Sequence, residues 1–280
     1  MSLAFTKMHG AGNDFVLLDG REALPADLGP LAAELADRRF GVGCDQVLVV
    51  RHGQDSRFAM EIWNADGSRA EMCGNGIRCF AKWLYERGEL GNQREVIETL
   101  GGPRWVEAAE ANGRLRVTTG MGVPSFDPAS LPMAPGDSTP NMTTLHVNGH
   151  AIEITGVSVG NPHAVAFIDD DVDAFPLATI GPLVEHHPTF PERTNFEIVD
   201  VTAPGELRVR VWERGAGLTL ACGTGAAATA AAAIAAGRVA PGNVALDMPG
   251  GRLHVTWDGD GNEVTMQGPA ATVFTGEWPA

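Results

Sequence analysis

The sequence predicts an α/β (α+β) fold built as two related halves, each made of several strands, one main helix and further strands. Three observations predict it. A nearly fixed offset of 149 residues lays the second half over the first. A Cys-Gly-x-Gly sequence opens a helical stretch at the same place in each half. The segments around those helices alternate apolar and polar residues, as half-buried strands do.

The register is set by Glu61 over Arg210. Trp63 then falls on Trp212, Cys73 on Cys222, Gly74 on Gly223 and Gly76 on Gly225. Gly101 and Gly102 fall on Gly250 and Gly251, and Gln46 on Asn195. With one residue of drift, Gly12-Asn13 matches Gly160-Asn161. A period of this size is a domain duplication rather than a solenoid. In chain order, 15–18 and 165–168 read as short apolar strands, as do 46–50 and 196–201. Residues 58–63 and 207–212 alternate. Helices are predicted over 75–87 and 224–236, with Gly88 and Gly237 as their stops. Strands follow at 95–99 and 105–108, and at 244–247 and 253–257. The second helix is nearly all Ala and Thr, so it has no polar face and is expected to be buried on every side. The proline-rich stretch 126–140 reads as the linker. The strand-like piece 263–274 has no counterpart closing the first half, so it is expected to return to the first sheet. The halves are therefore placed at 1–120 completed by 264–280, and at 121–263.

Composition narrows the function. The 280 residues are 44% hydrophobic and 20% charged, ordinary for a globular protein with a sizeable core. A net charge of −15 gives no basic surface for nucleic acid or an anionic membrane, so neither is expected as a partner. The longest apolar run, 226–236, is too short to span a bilayer. The start lacks a signal-peptide pattern, and the chain is expected in the cytoplasm. Four cysteines, at 44, 73, 79 and 222, form no CxxC pair and have poor zinc spacing, so no metal is expected. Cys44 and Cys79 read as small buried hydrophobes.

Cys73-Gly74-Asn75-Gly76 and Cys222-Gly223-Thr224-Gly225 read differently. The first turn of a helix leaves backbone N–H groups unpaired, and its dipole places positive charge there. Glycines let a ligand approach the backbone. Each motif is thus an anion site with a thiol at its mouth, in a field that favours thiolate. Asn75 and Thr224 add donors for a carboxylate. One such motif is commonly just a tight turn with a structural cysteine; two at equivalent positions of a duplicated fold are a stronger signal. Twofold-related halves are expected to bring the two thiols to opposite faces of one carbon. That geometry suits inversion at a carbon α to a carboxylate, and it predicts reversible inactivation by oxidants that join the thiols. No Walker sequence, dinucleotide fingerprint or candidate Schiff-base lysine competes, Lys82 lying two turns into its helix.

Together, MCGNGIRCF at 72–80, ERGAGLTLACGTGA at 213–226, GNDFVLLD at 12–19 and GNPHAV at 160–165 resemble the diaminopimelate epimerase family, over a span from near Lys7 to near Phe274. The resemblance implies two pseudo-symmetric halves, each a curled, mainly antiparallel sheet wrapped around a central helix. It implies interconversion of LL- and meso-2,6-diaminopimelate without cofactor or metal, in lysine and peptidoglycan precursor synthesis, by a homodimer. It implies Cys73 and Cys222 as the acid–base pair. Gly74, Asn75, Gly223 and Thr224 would hold the reacting carboxylate. Asn13, Gln46, Asn64, Asn161, Asn195, Glu213 and Arg214 would surround the amino-acid substrate, and His163 and Glu213 would tune the thiols. Glu213-Arg214 offers one charge of each sign to a distal amino-acid end, and Arg suits bidentate carboxylate binding. On their own, the asparagines read as turn residues, Gln46 as a surface amide, Glu213-Arg214 as a solvated turn, and His163 and His9 as structural. Cys44 departs from the small or apolar residue expected in GVGCDQ, and no role is assigned to it.

Three alternatives stay open on sequence. A proline or hydroxyproline racemase-like enzyme shares the two-cysteine logic, though such enzymes usually carry histidine where this chain has Asn75. A thiol redox or metal-binding protein is permitted by four cysteines but not favoured by their spacing. A non-catalytic amino-acid-binding module would not need the thiols.

Overall fold

A computed structural model describes residues 2–22, 24–25, 27–111, 113–134 and 142–279. It divides into two compact units, Met1–Gly120 with Gln267–Ala280, and Met121–Met266.

The first unit opens with β1 (Ser2–Gly10), β2 (Asn13–Asp19), α1 (Gly29–Ala36), β3 (Gln46–His52) and β4 (Phe58–Asn64). There follow β5 (Arg69–Ala70), α2 (Gly74–Glu86), β6 (Glu95–Glu98), β7 (Arg104–Ala111) and β8 (Arg114–Gly122). The second unit holds β9 (Met142–Val147), β10 (His150–Ser158), β11 (Pro162–Phe167), α3 (Leu177–Glu185) and β12 (Asn195–Ala203). It continues through β13 (Glu206–Glu213), β14 (Gly217–Thr219), α4 (Gly223–Ala235), β15 (Gly242–Met248) and β16 (Gly251–Trp257). The chain returns to the first unit through β17 (Val264–Gly268) and β18 (Ala271–Pro279).

Strand pairing repeats between the units. In the first, β1 and β2 are antiparallel, β2 and β3 parallel, β3 and β4 antiparallel, β4 and β6 parallel, and β6 and β7 antiparallel. In the second, the same alternation runs through β10, β11, β12, β13, β15 and β16. Each parallel join needs a crossover, and a helix supplies it: α1 and α2 in the first unit, α3 and α4 in the second. The C-terminal strand β18 lies antiparallel on β1, from Ser2 opposite Pro279, as β9 lies on β10.

The central helices pack against these sheets. α2 touches β1, β2, β3, β7 and β18, burying Ile77, Phe80, Ala81, Trp83 and Leu84 among Phe15, Leu17, Leu48 and Val50. α4 touches β10, β11, β12, β15 and β16, and is buried at every position from Gly225 to Ile234. Small side chains let strands approach that helix on all sides, the expected consequence of its Ala-rich sequence.

The structure refines several elements. Both central helices begin one residue earlier than the sequence suggested, at Gly74 and Gly223, because each cysteine itself is the N-cap. Gly88 and Gly237 end them at φ +70 and +67, a left-handed turn that favours glycine. The piece read as one strand over 263–274 is two, since Pro269 cannot donate to a ladder. Of the predicted linker, 135–140 lies outside the described residues; its first part carries a 3-10 turn at Pro128–Ser130. Among the described residues, no helix is long and apolar enough to cross a membrane.

Candidate active site

The first unit gathers Asn13, Cys73 and Asn75 at the mouth of α2. Cys73 has extended backbone, φ −142 and ψ 114, and its sulfur accepts from Gly76 N at 3.3 Å. A thiol takes the place a Ser or Asp capping oxygen usually fills. Cys73 Sγ donates to Asn13 Oδ1 at 3.5 Å, and Asn75 Nδ2 lies 3.4 Å from the same oxygen. The remaining polar atoms of both amides are held by charged groups. Asn13 Nδ2 donates to Asp45 Oδ2 at 2.8 Å, and Arg78 Nη2 donates to Asn75 Oδ1 at 2.6 Å. Arg78 is fully buried and also donates to Gly74 O. Burial lowers its pKa to about 10, against the attraction of nearby sulfurs.

Gln46 and Asn64 pair across β3 and β4. Gln46 Nε2 donates to Asn64 Oδ1 at 2.9 Å, and Asn64 Nδ2 donates to Ser68 Oγ at 3.0 Å. Gln46 Oε1 is buried without a hydrogen-bond partner among the described residues, an acceptor available to a ligand donor.

In the second unit, Cys222 caps α4 in the same way, φ −120 and ψ 119, accepting from Gly225 N at 3.4 Å. Thr224 Oγ1 is 3.4 Å from the sulfur and accepts from Asn161 Nδ2 at 3.3 Å. His163 Nε2 lies 3.0 Å from Asn161 Oδ1, and its Nδ1 lies 2.7 Å from Glu197 Oε1, with both side chains fully buried. Glu213 is half-buried and accepts from Thr219 Oγ1. Burial raises its pKa, opposed by hydrogen bonds from Thr219 and Cys222. Burial is also the main cause that pushes the Cys222 thiol well above its ordinary range, helped by the charges of Glu213 and Glu197. The helix field expected to favour thiolate is therefore outweighed at Cys222 by desolvation and two carboxylates. Asn195 joins the following loop: its Nδ2 donates to Pro162 O at 2.9 Å, and its Oδ1 accepts from Arg214 N at 2.9 Å. The Arg214 guanidinium donates to Glu192 O at 3.2 Å.

The other two cysteines lie in apolar packing. Burial pushes Cys44 up to about 11 and Cys79 up to about 12. Among the described residues, no group of three or more His, Cys, Asp or Glu is arranged to hold a metal ion.

Sequence reasoning missed four polar residues that support these sites: Asp45, Arg78, Glu185 and Glu197. Glu185, buried on α3, accepts from Trp212 Nε1 at 2.7 Å and Gly215 N at 2.9 Å, so it fixes the turn that carries Glu213 and Arg214. Glu197 had a visible signal: the repeat register lays Leu48 on it, an apolar residue on an acid.

The units also differ beneath their cysteines. Phe15 stands opposite Gln46 where His163 stands opposite Asn195, so the buried His163–Glu197 pair occupies places held by Phe15 and Leu48 in the first unit. The shared backbone frame thus carries an apolar floor under Cys73 and a polar one under Cys222.

Comparison with known proteins agrees with this duplicated frame. The family model for diaminopimelate epimerase matches residues 5–126 and 155–273. Diaminopimelate epimerase of Aromatoleum aromaticum is 47% identical over 99% of each chain. That of Moorella thermoacetica is 46% identical over 98% of this chain and 99% of its own. Among solved structures, a hydroxyproline epimerase from Agrobacterium vitis superposes with a TM-score of 0.70 at 18% identity, covering 99% of this chain and 92% of that one. A phenazine biosynthesis protein of the PhzF family from Bacillus anthracis gives 0.70 at 14% identity over 100% of both chains. At such identities these two likenesses show a shared fold alone. The sequence matches carry further: the chain belongs to the diaminopimelate epimerase family and is an isomerase of the epimerase kind.

Proposed function

We propose that this chain interconverts LL- and meso-2,6-diaminopimelate, with Cys73 and Cys222 as its two acid–base groups. The observation that carries the reading is that each unit caps its central helix with a cysteine, at the same point of the same strand order. Inversion requires a proton to leave one face of the α-carbon and another to arrive on the opposite face. One thiolate takes the α-proton and becomes a thiol, leaving its electron pair on the substrate. The other thiol gives its proton to that carbon and becomes a thiolate. The N–H groups at the two helix starts, with Asn75 and Thr224, bind the carboxylate on which negative charge develops. Desolvation matters here, since an α-carbon proton is very weakly acidic and a buried thiolate is a stronger base than a solvated one.

Gln46, Asn64, Asn161, Asn195, Glu213 and Arg214 contact the rest of the substrate. Glu213 and His163 adjust the proton affinity of the thiols. The reaction needs no cofactor in this reading. It takes place in the cytoplasm, in a homodimer, and supplies lysine and peptidoglycan precursors.

The test is solvent exchange. Purified protein in heavy water should place deuterium at one α-carbon of LL-diaminopimelate while converting it to the meso form. Cys73→Ser and Cys222→Ser, made separately, should each abolish conversion. Conversion at the wild-type rate by either variant would overturn the two-thiol mechanism, and absence of exchange by the wild type at every pH would overturn the substrate.

A further inference from the structure

The two asparagines beside Cys73 belong to a directed chain of hydrogen bonds. Arg78, which has only donors, gives to Asn75 Oδ1 at 2.6 Å. That turns Asn75 Nδ2 toward Asn13 Oδ1, 3.4 Å away. Asn13 Nδ2 in turn gives to Asp45 Oδ2 at 2.8 Å, a carboxylate that has only acceptors. Asp45 is held from other sides by Asp14 N at 3.1 Å and Arg38 Nη2 at 2.6 Å. A cation at one end and an anion at the other leave one orientation for each amide. The outcome is a carbonyl oxygen, and not an NH2 group, facing Cys73 Sγ at 3.5 Å.

We propose that Asp45 is a positioning residue for Cys73, acting through Asn13 by fixing which end of that amide meets the sulfur. A carbonyl oxygen accepts from S–H and so favours the thiol; an amide N–H would favour the thiolate. Asp45 thereby biases Cys73 toward the thiol, against the Gly76 N–H that donates to the same sulfur. The catalytic importance of this effect rests on the two-thiol reading above, but the effect itself is a property of the free protein.

Other ionisable groups lie on α2 and on the strands packed against it. Lys7 and His9 lie on β1, Asp14 on β2, and Cys79, Lys82 and Glu86 on α2 with Arg78. β7 brings Arg104, Glu107 and Glu110, β18 brings Glu277, and β3 brings Arg51 and His52. Any of them contributes a background field, so the test must separate the charge of Asp45 from its grip on Asn13.

A double-mutant cycle does so, read as the rate of iodoacetamide alkylation at Cys73 and at Cys222 by peptide mass spectrometry across pH. Asp45→Ala, which removes the acceptor for Asn13 Nδ2, should shift the midpoint of Cys73 alkylation downward by about one unit, and Asp45→Asn, which keeps an acceptor there, should shift it less. Thiolate nucleophilicity falls with its basicity, so the net gain at neutral pH is about threefold. Cys222 should be unaffected. In an Asn13→Leu background, which keeps the size but removes the amide, the same change at 45 should have no effect on Cys73. An equal effect in both backgrounds would show direct action of the Asp45 charge and overturn the proposal. So would an unchanged Cys73 rate in the single variants, or a parallel rise at both cysteines from general loosening. Substrate turnover is not used, so failure here is distinct from failure of the proposed reaction.

Discussion

Gly225→Ala should destabilise the protein much more than Gly76→Ala, although the two glycines are equivalent in the repeat. A methyl on Gly225 would lie 2.7 Å from Glu197 Oε1 and 3.4 Å from Cys222 Sγ. A methyl on Gly76 would lie 3.2 Å from Leu48 Cδ2 and 3.5 Å from Cys73 Sγ. Leu48 can yield a few tenths of an ångström by a small rotation. Glu197 can yield only by lengthening its 2.7 Å contact with His163 Nδ1, and both groups are fully buried. Overpacking costs about 1–3 kcal/mol, and weakening a buried charge-assisted hydrogen bond costs up to about 1.5–3 kcal/mol. Replacing a helical glycine by alanine returns up to about 1 kcal/mol at either site. The balance is roughly 2–4 kcal/mol of destabilisation for Gly225→Ala and roughly 0–1 kcal/mol for Gly76→Ala. With a urea slope of ~3 kcal/mol/M, the midpoints of the two variants should differ by roughly 0.5–1 M. Urea titration followed by far-ultraviolet circular dichroism measures this directly. A second arm adds Glu197→Ala, which vacates the space the methyl would enter. The penalty of Gly225→Ala should then shrink to that of Gly76→Ala. Equal midpoints for the two single variants, or an undiminished penalty in the Glu197→Ala background, would refute a rigid polar floor under α4.

Three further outcomes follow from the electrostatics. Glu213→Gln removes one of the charges that raise the Cys222 thiol, so its alkylation midpoint should fall, with Cys73 unchanged, as read by the same peptide assay. Asp14 is held well below the usual carboxylate range: burial alone would raise it, but Arg38 and Lys7 outweigh burial. A depressed folded pKa gives stability that is present above the unfolded value of about 3.9 and is lost as pH falls through the folded value, so Asp14→Asn should cost about 1–3 kcal/mol at neutral pH and progressively less in acid. Urea midpoints at several pH values check the convergence. Glu98 is lowered to about 2 because it accepts from the backbone N–H groups of Gln54, Asp55 and Ser56; a carboxylate carbon titration by nuclear magnetic resonance should find that midpoint, and Glu98→Gln should speed proteolysis in the 53–57 turn.

What could be read from the sequence was what local chemistry writes locally. Cys73 and Cys222 announced themselves because a cap, its glycines and the helix they open are contiguous. The Ala-rich α4 announced its burial because it offers no polar face. The helices α1 and α3 were missed: they are short, and each contains a proline, Pro30 at the start of one and Pro182 inside the other. Strands β5 and β14, of two and three residues, are too short to show alternation. Asp45 was unreadable for a different reason. Its meaning lies in Asn13, 32 residues away, and in Arg38, brought together only when β2 and β3 pair in parallel. Glu197 stood in a run of apolar strand residues, where an acid requires a buried partner, and His163 is supplied by the neighbouring parallel strand.

The same comparison bears on why a duplicated fold does not make two identical sites. Asn13 and Asn161 are repeat equivalents, yet their amides are held by opposite ends. In the first unit Asp45 takes the NH2 group of Asn13, so its oxygen faces Cys73. In the second, the Asn161 oxygen faces His163, and its NH2 group gives to Thr224, whose hydroxyl lies beside Cys222. A hydroxyl whose lone pair is already engaged is biased to donate its own hydrogen, here toward the sulfur. That bias favours thiolate, and it opposes the burial and the two carboxylates that favour thiol at Cys222. Under the two-thiol mechanism, one sulfur must begin as base and the other as acid, and each must exchange roles in the reverse direction. Identical environments would give both sulfurs the same proton affinity and leave their protonation to chance. Opposite amide polarity on a common backbone breaks that degeneracy.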